Sequence, residues 1–163
     1  MAKRISVYSL LTALCLVFGY VESLLPLSFI APGIKLGLAN SVSMLLVFRD
    51  DIKGAFAVNI TRILLSSLLF ATPFALIFSL TAGIISLTAA VFVKKIPGVS
   101  VIGVSAAGAA VHNTVQTAAA SLIFGAGVWY YLPVLLIAAA VSGTAMGALC
   151  MLILKKVKTN GSF

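Results

Sequence analysis

The feature that most constrains this chain is a succession of long apolar runs, separated by short segments that contain most of its charges and turn residues. The runs cover residues 5–25, 36–48, 52–70, 72–93, 99–125 and 128–154. A bilayer core accommodates about 20 apolar residues per helix. Of the 163 residues, 62% are hydrophobic and only 9% are charged. A soluble domain of this size could not bury so many apolar side chains. We therefore predict an all-α, polytopic bundle of six transmembrane helices, a single domain over residues 1–163, in the cell (cytoplasmic) membrane.

The first two runs need separate comment. Lys3 and Arg4 before an apolar run resemble a secretory signal, but the run is long and no clean small-x-small cleavage site follows it, so we predict helix 1 here. The second run is too short to cross the bilayer alone, because 13 residues of helix rise only about 20 Å. Residues 26–33 before it are apolar but contain two prolines and a glycine. They form either an irregular loop that enters the outer leaflet, as in transporters with interrupted helices, or an ordinary interfacial loop.

The basic residues predict the orientation of the helices. Nine of the eleven fall in alternate connections or at the termini, and with six helices these all lie on one side. The positive-inside rule assigns that side, and both termini, to the cytoplasm. The net charge of +8 is then a topology signal and implies no nucleic-acid partner. The nine residues are Lys3, Arg4, Arg49, Lys53, Lys94, Lys95, Lys155, Lys156 and Lys158.

Three charged residues fall outside these cytoplasmic clusters: Glu22, Lys35 and Arg62. Arg62 lies nine residues beyond Lys53, which places it about 13 Å along helix 3 and close to the bilayer midplane. A cation at that depth needs a partner or water. Glu22 is expected near the outer end of helix 1 and Lys35 at the outer start of helix 2. All three can therefore meet in the outer half of the bundle.

Neutral polar residues are predicted at the same depth. An isolated polar residue in a membrane helix often serves only to join helices. Their coincidence across four helices favours a shared polar cavity that opens outward, with two cations against one carboxylate. Such a cavity suits a small anionic or carboxylate-bearing ligand, although Glu22 could simply neutralise one cation. The predicted substrate-binding residues are Glu22, Lys35, Asn40, Asn59, Arg62, His112, Asn113 and Gln116.

Several chemistries are disfavoured by counting residues. One histidine and two cysteines, each cysteine in a predicted helix, make a poor metal or haem ligand set, so we predict no metal, no cofactor and no catalytic residue. Asp50 and Asp51 stand beside Arg49 and Lys53, which favours a solvated charge cluster over a magnesium site. A phosphate-binding Gly-rich loop with a lysine is also missing from the sequence. Uphill transport would therefore require a partner or an ion gradient.

A family resemblance rests on three short stretches. They are Glu-Ser-Leu-Leu-Pro at 22–26, Pro-Gly-Ile-Lys-Leu-Gly-Leu-Ala-Asn at 32–40 and Ala-Val-His-Asn at 110–113, followed by Gln116. With them the chain resembles, over nearly its whole length, the membrane family known both as heptaprenyl diphosphate synthase component I and as the Gx transporter family. Its layout is similar to the substrate-binding S components of energy-coupling factor (ECF) vitamin transporters. The resemblance implies a ligand near the outer face under the first loop. It also implies that small residues on helix 1 dock a transmembrane coupling subunit with two ATPases.

For this docking, helix 1 offers Ser9 and Ala13 at small-xxx-small spacing, with Gly19 and Ser23 as a second pair. The usual Ala-xxx-Ala pattern is incomplete. Small pairs also let helices pack closely within one protein. Docking and internal packing therefore both stay open for these pairs, as they do for the pair of glycines at 143 and 147.

The favoured hypothesis is a substrate-capture subunit that binds a small anionic molecule from outside and moves it inward with an ECF-type module. One alternative is an accessory membrane subunit of prenyl diphosphate or quinone metabolism. Another is a subunit that serves flavin- or quinone-based extracellular electron transfer. A need for ATP-dependent uptake with a partner would distinguish the first hypothesis from the other two.

Overall fold

A computed structural model describes residues 2–24, 37–70 and 73–159, and all regular structure in these ranges is helical. The six predicted helices are therefore confirmed, whereas the predicted loop at 26–33 lies outside the described residues. A 3-10 helix stands between the last two α-helices. The α-helices are α1 (Ala2–Leu24), α2 (Leu38–Phe48), α3 (Ile52–Phe70), α4 (Pro73–Lys94), α5 (Val101–Phe124) and α6 (Leu132–Thr159), and the 3-10 helix is Ala126–Tyr131.

Local signals explain several of these boundaries. Ser100 caps α5, because its hydroxyl accepts a hydrogen bond from the Gly103 amide at 3.1 Å. Gly125 follows α5 with a φ of 84°, a left-handed conformation that favours glycine. The start of α6 was predicted at residue 128 but lies at Leu132, because the preceding apolar residues form the 3-10 helix. The connection between α5 and α6 is therefore longer than the two residues expected.

Four of the helices, α1, α3, α4 and α6, are long and apolar enough to cross a membrane. Large apolar side chains on these helices face outward, among them Leu10 (71% exposed) and Leu68 (81% exposed). The α2 helix is short, as predicted, with 11 residues. The α5 helix has the length to span, but His112, Asn113 and Gln116 lower its hydropathy. These features make the chain a membrane protein.

The α5 and α6 helices form the most extensive helix pair. A Cβ atom on Gly143 would lie 2.7 Å from the Ala106 Cα atom, and one on Gly147 would lie 2.7 Å from the Ile102 Cα atom. Only glycine permits this approach of one backbone to the other. The pair of glycines therefore serves packing within the chain, which resolves one of the alternatives left open by the sequence.

Polar contacts fasten several helix ends together at one end of the bundle. The Tyr8 hydroxyl of α1 donates to Asp51 Oδ2 at 2.5 Å, in the turn between α2 and α3. At the end of α4, Lys94 Nζ donates to Asp50 Oδ1 at 2.6 Å and to the Val47 carbonyl at 2.8 Å. The start of α1, the α2–α3 turn and the end of α4 thus share one end, which we call the basic end. The predicted clustering of basic residues on one side agrees with this arrangement.

Two apolar clusters form the core. One surrounds Val47 and Val58 and includes Cys15, and the other surrounds Val104 and includes Cys150. Both cysteines are only 1% exposed. They behave as small buried residues, as expected from the sequence.

Candidate functional site

A cavity of about 120 Å³ lies at mid-height of the bundle and extends to the end of α1 and the start of α2, away from the basic end. Its walls come from the end of α1, from the first half of α2 and from the middle of α3, α4, α5 and α6. Seven of the eight predicted binding residues line it, whereas Lys35 lies outside the described residues. The seven are Glu22, Asn40, Asn59, Arg62, His112, Asn113 and Gln116.

Two asparagine side chains position Arg62 at this cavity. The guanidinium Nε and Nη2 atoms donate to Asn59 Oδ1 at 3.1 and 2.9 Å, and Nη2 also donates to Asn40 Oδ1. Asn59 and Arg62 stand at i and i+3 on α3, so their side chains share one helix face. Amide oxygens satisfy the guanidinium without neutralising it. The half-buried cation therefore keeps its positive charge at the cavity wall.

Asn59 is itself fixed by the α4 backbone. It is 2% exposed, and its Nδ2 atom donates to the Gly83 carbonyl at 3.1 Å. A Cβ atom on Gly83 would lie 2.6 Å from Ile63 Cδ1 and 3.1 Å from Asn59 Nδ2, so a larger residue here would have to displace these side-chain ends. The same carbonyl accepts from Ser86 Oγ at 3.3 Å, and that hydroxyl lies 3.4 Å from His112 Nδ1. A hydrogen-bonded chain thus joins the guanidinium to the imidazole across three helices.

Glu22 does not form an ion pair with Arg62. Its Oε1 atom accepts a hydrogen bond from the Gly37 amide at 2.7 Å, at the start of α2, where Gly37 has a φ of 76°. Within residues 2–24, 37–70 and 73–159, no carboxylate oxygen lies within ion-pair distance of the Arg62 guanidinium. The sequence left open whether Glu22 neutralises Lys35 or Arg62; in the structure Glu22 makes no ion pair with Arg62 and joins the end of α1 to α2, and Lys35 lies outside the described residues.

The two amides on α5 differ in their contacts. Asn113 Nδ2 donates to the Leu135 carbonyl at 2.7 Å and so joins α5 to α6. This is the interhelical role that isolated polar residues often have. Gln116 also lines the cavity, and in the described part of the chain its side chain has no hydrogen-bond partner.

The sequence analysis missed a group of serines that lines the deeper wall. Ser43 is the most informative, because it is only 2% exposed and its hydroxyl has no hydrogen-bond partner among the described residues. Single serines in apolar helices are too common to be recognised as site residues. Helical spacing was the available signal, because Ser43 follows Asn40 by three residues and Ser105 precedes His112 by seven. The group comprises Ser43, Ser86, Ser105 and Ser142.

Comparison with known families adds an independent finding. A sequence profile described as heptaprenyl diphosphate synthase component I matches residues 11–153. The chain belongs to this family. Component I is the non-catalytic accessory subunit of that synthase. No curated protein and no solved structure matches the chain.

The paired aspartates of this component I chain have structural roles. Asp51 caps α3, since its Oδ1 atom accepts from the Gly54 amide at 3.0 Å while Oδ2 accepts from Tyr8. The hydrogen bond from Tyr8 lowers the pKa of Asp51 and favours its ionised form. Asp50 contacts Lys94. Across the described ranges, no three His, Cys, Asp or Glu side chains group as metal ligands.

The small residues on α1 of this component I chain face away from the bundle. Ser9 and Ala13 are exposed, and α1 buries little of its length. A Cβ atom on Gly19 would meet no atom within 4 Å. These residues are thus not used for close packing among the described helices, and their surface is open to lipid or to another protein.

Proposed function

We propose that this chain is a six-span subunit of the cell membrane, with both termini in the cytoplasm. It captures a small anionic molecule from outside and passes it inward with an ECF-type module. The observation that supports this most directly is the guanidinium of Arg62, which two asparagine amides hold at a cavity wall without neutralising it. An arginine that forms no ion pair is a suitable partner for a carboxylate or phosphate.

The placement of the cavity supports uptake from outside. The predicted cytoplasmic clusters at the start of α1, the α2–α3 turn and the end of α4 share the basic end of the bundle. The cavity lies at mid-height and extends toward the opposite end, where Glu22 and Gly37 line it. The positive-inside rule therefore favours an outward-facing cavity.

The size of the cavity favours a small ligand. A water molecule needs roughly 10–15 Å³ of such a cavity, so 120 Å³ holds about ten water-sized groups. A metabolite with a similar number of non-hydrogen atoms fits this space. A heptaprenyl chain is far larger and would have to extend beyond the cavity.

The proposed energising partner is a transmembrane coupling subunit with two ATPases. The exposed face of α1 that includes Ser9 and Ala13 is the surface proposed for it. Small side chains on an exposed membrane helix permit close approach of a second helix.

The test is mass spectrometry of small molecules released from detergent-purified protein, comparing wild type, Arg62→Ala and Lys53→Ala. Lys53 is a matched control, because it is an exposed cation on the same helix and does not line the cavity. We expect one anionic metabolite with wild type and Lys53→Ala but not with Arg62→Ala, while all three proteins insert into the membrane. An unchanged amount of that metabolite with Arg62→Ala would refute the proposed role of the guanidinium.

The family match favours one alternative, an accessory subunit of prenyl diphosphate metabolism. The name component I implies partnership with a further synthase component. In this alternative Arg62 would hold a diphosphate and the prenyl chain would lie outside the cavity. A prenyl diphosphate among the released molecules would support this role, and a quinone or flavin would support the electron-transfer hypothesis.

A further inference from the structure

Two side chains of opposite charge line the cavity without pairing with each other. Glu22 and Arg62 are both half-buried lining residues. No nitrogen of the guanidinium lies within 4.0 Å of an oxygen of the carboxylate. An ion pair would cancel both charges in place, whereas two separated charges give the cavity a positive and a negative point of attachment.

Neutral groups hold each of these charges. The guanidinium donates through Nε and Nη2 to the amide oxygens of Asn59 and Asn40. The carboxylate accepts one hydrogen bond, from the Gly37 amide to Oε1 at 2.7 Å. Within the part of the chain that the structure describes, no carboxylate pairs with Arg62 and no cation pairs with Glu22. These contacts orient the two groups and leave both charges uncancelled.

Each charged group also has an atom that is accessible and makes no hydrogen bond. Among the described residues, Arg62 Nη1 has no acceptor and Glu22 Oε2 has no donor. Neither atom is enclosed, because Ser43 Oγ is the one enclosed side-chain atom in the same ranges that lacks a partner. A molecule in the cavity can therefore bond to both groups, since both line it.

A ligand with a single charge satisfies one of these groups and not the other. A simple carboxylate pairs with Arg62 but adds a second anion to a cavity that Glu22 already lines, and like charges repel strongly where little water is present. A simple amine pairs with Glu22 but leaves the guanidinium without a counter-charge. His112, the third ionisable side chain of the described lining, has a partner of its own, as its Nδ1 atom lies 3.4 Å from the Ser86 hydroxyl. A molecule with both a carboxylate and an ammonium group complements both charges.

We infer that the ligand is a small zwitterion, whose carboxylate binds Arg62 and whose ammonium group binds Glu22. This inference rests on the proposed function, because it takes the guanidinium as the anion site. It narrows the captured molecule from small anions in general to carboxylates that also carry an amino group. A cavity of about 120 Å³ holds about ten water-sized groups, which suits a small amino acid.

The experiment compares pairs of carboxylates that differ by one amino group. The probes are acetate, propionate, butyrate and pentanoate, each beside its ω-amino analogue, so that the series varies the distance between the two charges of the ligand. At about pH 8 the carboxylates are ionised and the amines are protonated. Affinity is obtained from ligand-dependent thermal unfolding in detergent.

The proteins are wild type, Glu22→Gln, Arg62→Ala and Asp50→Asn. Glutamine at position 22 removes the charge but keeps an oxygen that can accept from the Gly37 amide. Asp50→Asn is the matched control, because it also removes a carboxylate, lies at the basic end and does not line the cavity. Asparagine tolerates the φ of 60° at that position.

We expect wild type and Asp50→Asn to bind at least one amino acid about tenfold more tightly than its plain partner, the effect of about one charge-assisted hydrogen bond. Glu22→Gln should abolish this preference, because the amino acid loses its counter-charge and the plain carboxylate no longer meets a second anion. Arg62→Ala should bind neither kind of probe.

The other outcomes separate the two proposals. If no amino acid binds wild type more tightly than its plain partner, or if the preference survives in Glu22→Gln, the inference is overturned while the anion site stands. In that case Glu22 serves only to join α1 to α2. The wild-type comparison needs no variant, so it decides the matter even if Glu22→Gln does not fold. If no probe stabilises wild type, or if Arg62→Ala keeps wild-type affinity, the proposed anion site fails, and the inference fails with it.

Discussion

Exchanging Asn59 for aspartate is the sharpest test of how the cavity recognises an anion. Asn59 Oδ1 accepts two hydrogen bonds from the Arg62 guanidinium, and aspartate would keep this geometry while adding a negative charge. A ligand carboxylate on the far side of the guanidinium would then lie about 8 Å from the new carboxylate, the length of two hydrogen bonds plus the width of the guanidinium. At an effective dielectric constant of about 20, the repulsion is about 2 kcal/mol. We therefore expect about a thirtyfold loss of affinity for carboxylates.

Stability should respond differently from affinity. Asn59→Asp strengthens the hydrogen bonds from Arg62 but places a carboxylate oxygen against the Gly83 carbonyl, where neither oxygen can donate, so we expect a loss of about 1–2 kcal/mol. Asn59→Leu has similar volume but removes every one of these bonds, and should destabilise the protein by about 3 kcal/mol. Thermal unfolding in detergent, with and without a carboxylate ligand, measures both effects. Wild-type affinity in a stable Asn59→Asp protein would show that the ligand does not bind at the guanidinium, and would refute this reasoning.

Two further predictions concern the fold. Gly143→Ala should destabilise the protein by about 1 kcal/mol or more in thermal unfolding, because the clash with the Ala106 backbone outweighs the gain in helix propensity. Gly19→Ala is the control. The space around Gly19 is open, so this substitution should be neutral or stabilising in the same assay. Tyr8→Phe should lower stability above pH 3.8, the ordinary pKa of Asp51, and should lower it less in more acidic solution. The hydrogen bond from Tyr8 lowers the pKa of Asp51 in the folded protein, and the stability that this contributes disappears as the Asp51 carboxylate is protonated. A Tyr8→Phe deficit that grows on acidification would contradict the assigned contact.

The helices were predictable wherever polarity and helix ends coincide. The end of α2 and the start of α3 were predicted correctly because Arg49 to Asp51 interrupt the apolar runs there. The start of α6 was not, because the 3-10 helix before it is as apolar as the helix itself. Hydropathy measures preference for lipid and cannot distinguish two helical forms of similar composition. The glycines at 125 and 127 were the local signal for that break.

The site was predictable in depth but not in contacts. Counting 1.5 Å per residue placed Arg62, Asn59 and Asn40 at one level, and the structure brings them into hydrogen-bond contact. The partner of Glu22 was not predictable, because it is a backbone amide of α2. Contacts between helices depend on the rotation and tilt of each helix, which linear spacing does not specify. The same limit hid Ser43, whose significance depends on which face of α2 borders the cavity.

The acidic residues determine what the family name can mean for this chain. Synthesis of prenyl diphosphates relies on magnesium held by clustered carboxylates. The chain has three acids, and the structure divides them between two ends of the bundle: Asp50 and Asp51 at the basic end, and Glu22 at the cavity. A role in prenyl metabolism would therefore be binding or delivery, with Arg62 as the group that holds the diphosphate. Both candidate functions thus use the same guanidinium, and the part of the ligand beyond its anionic group decides between them.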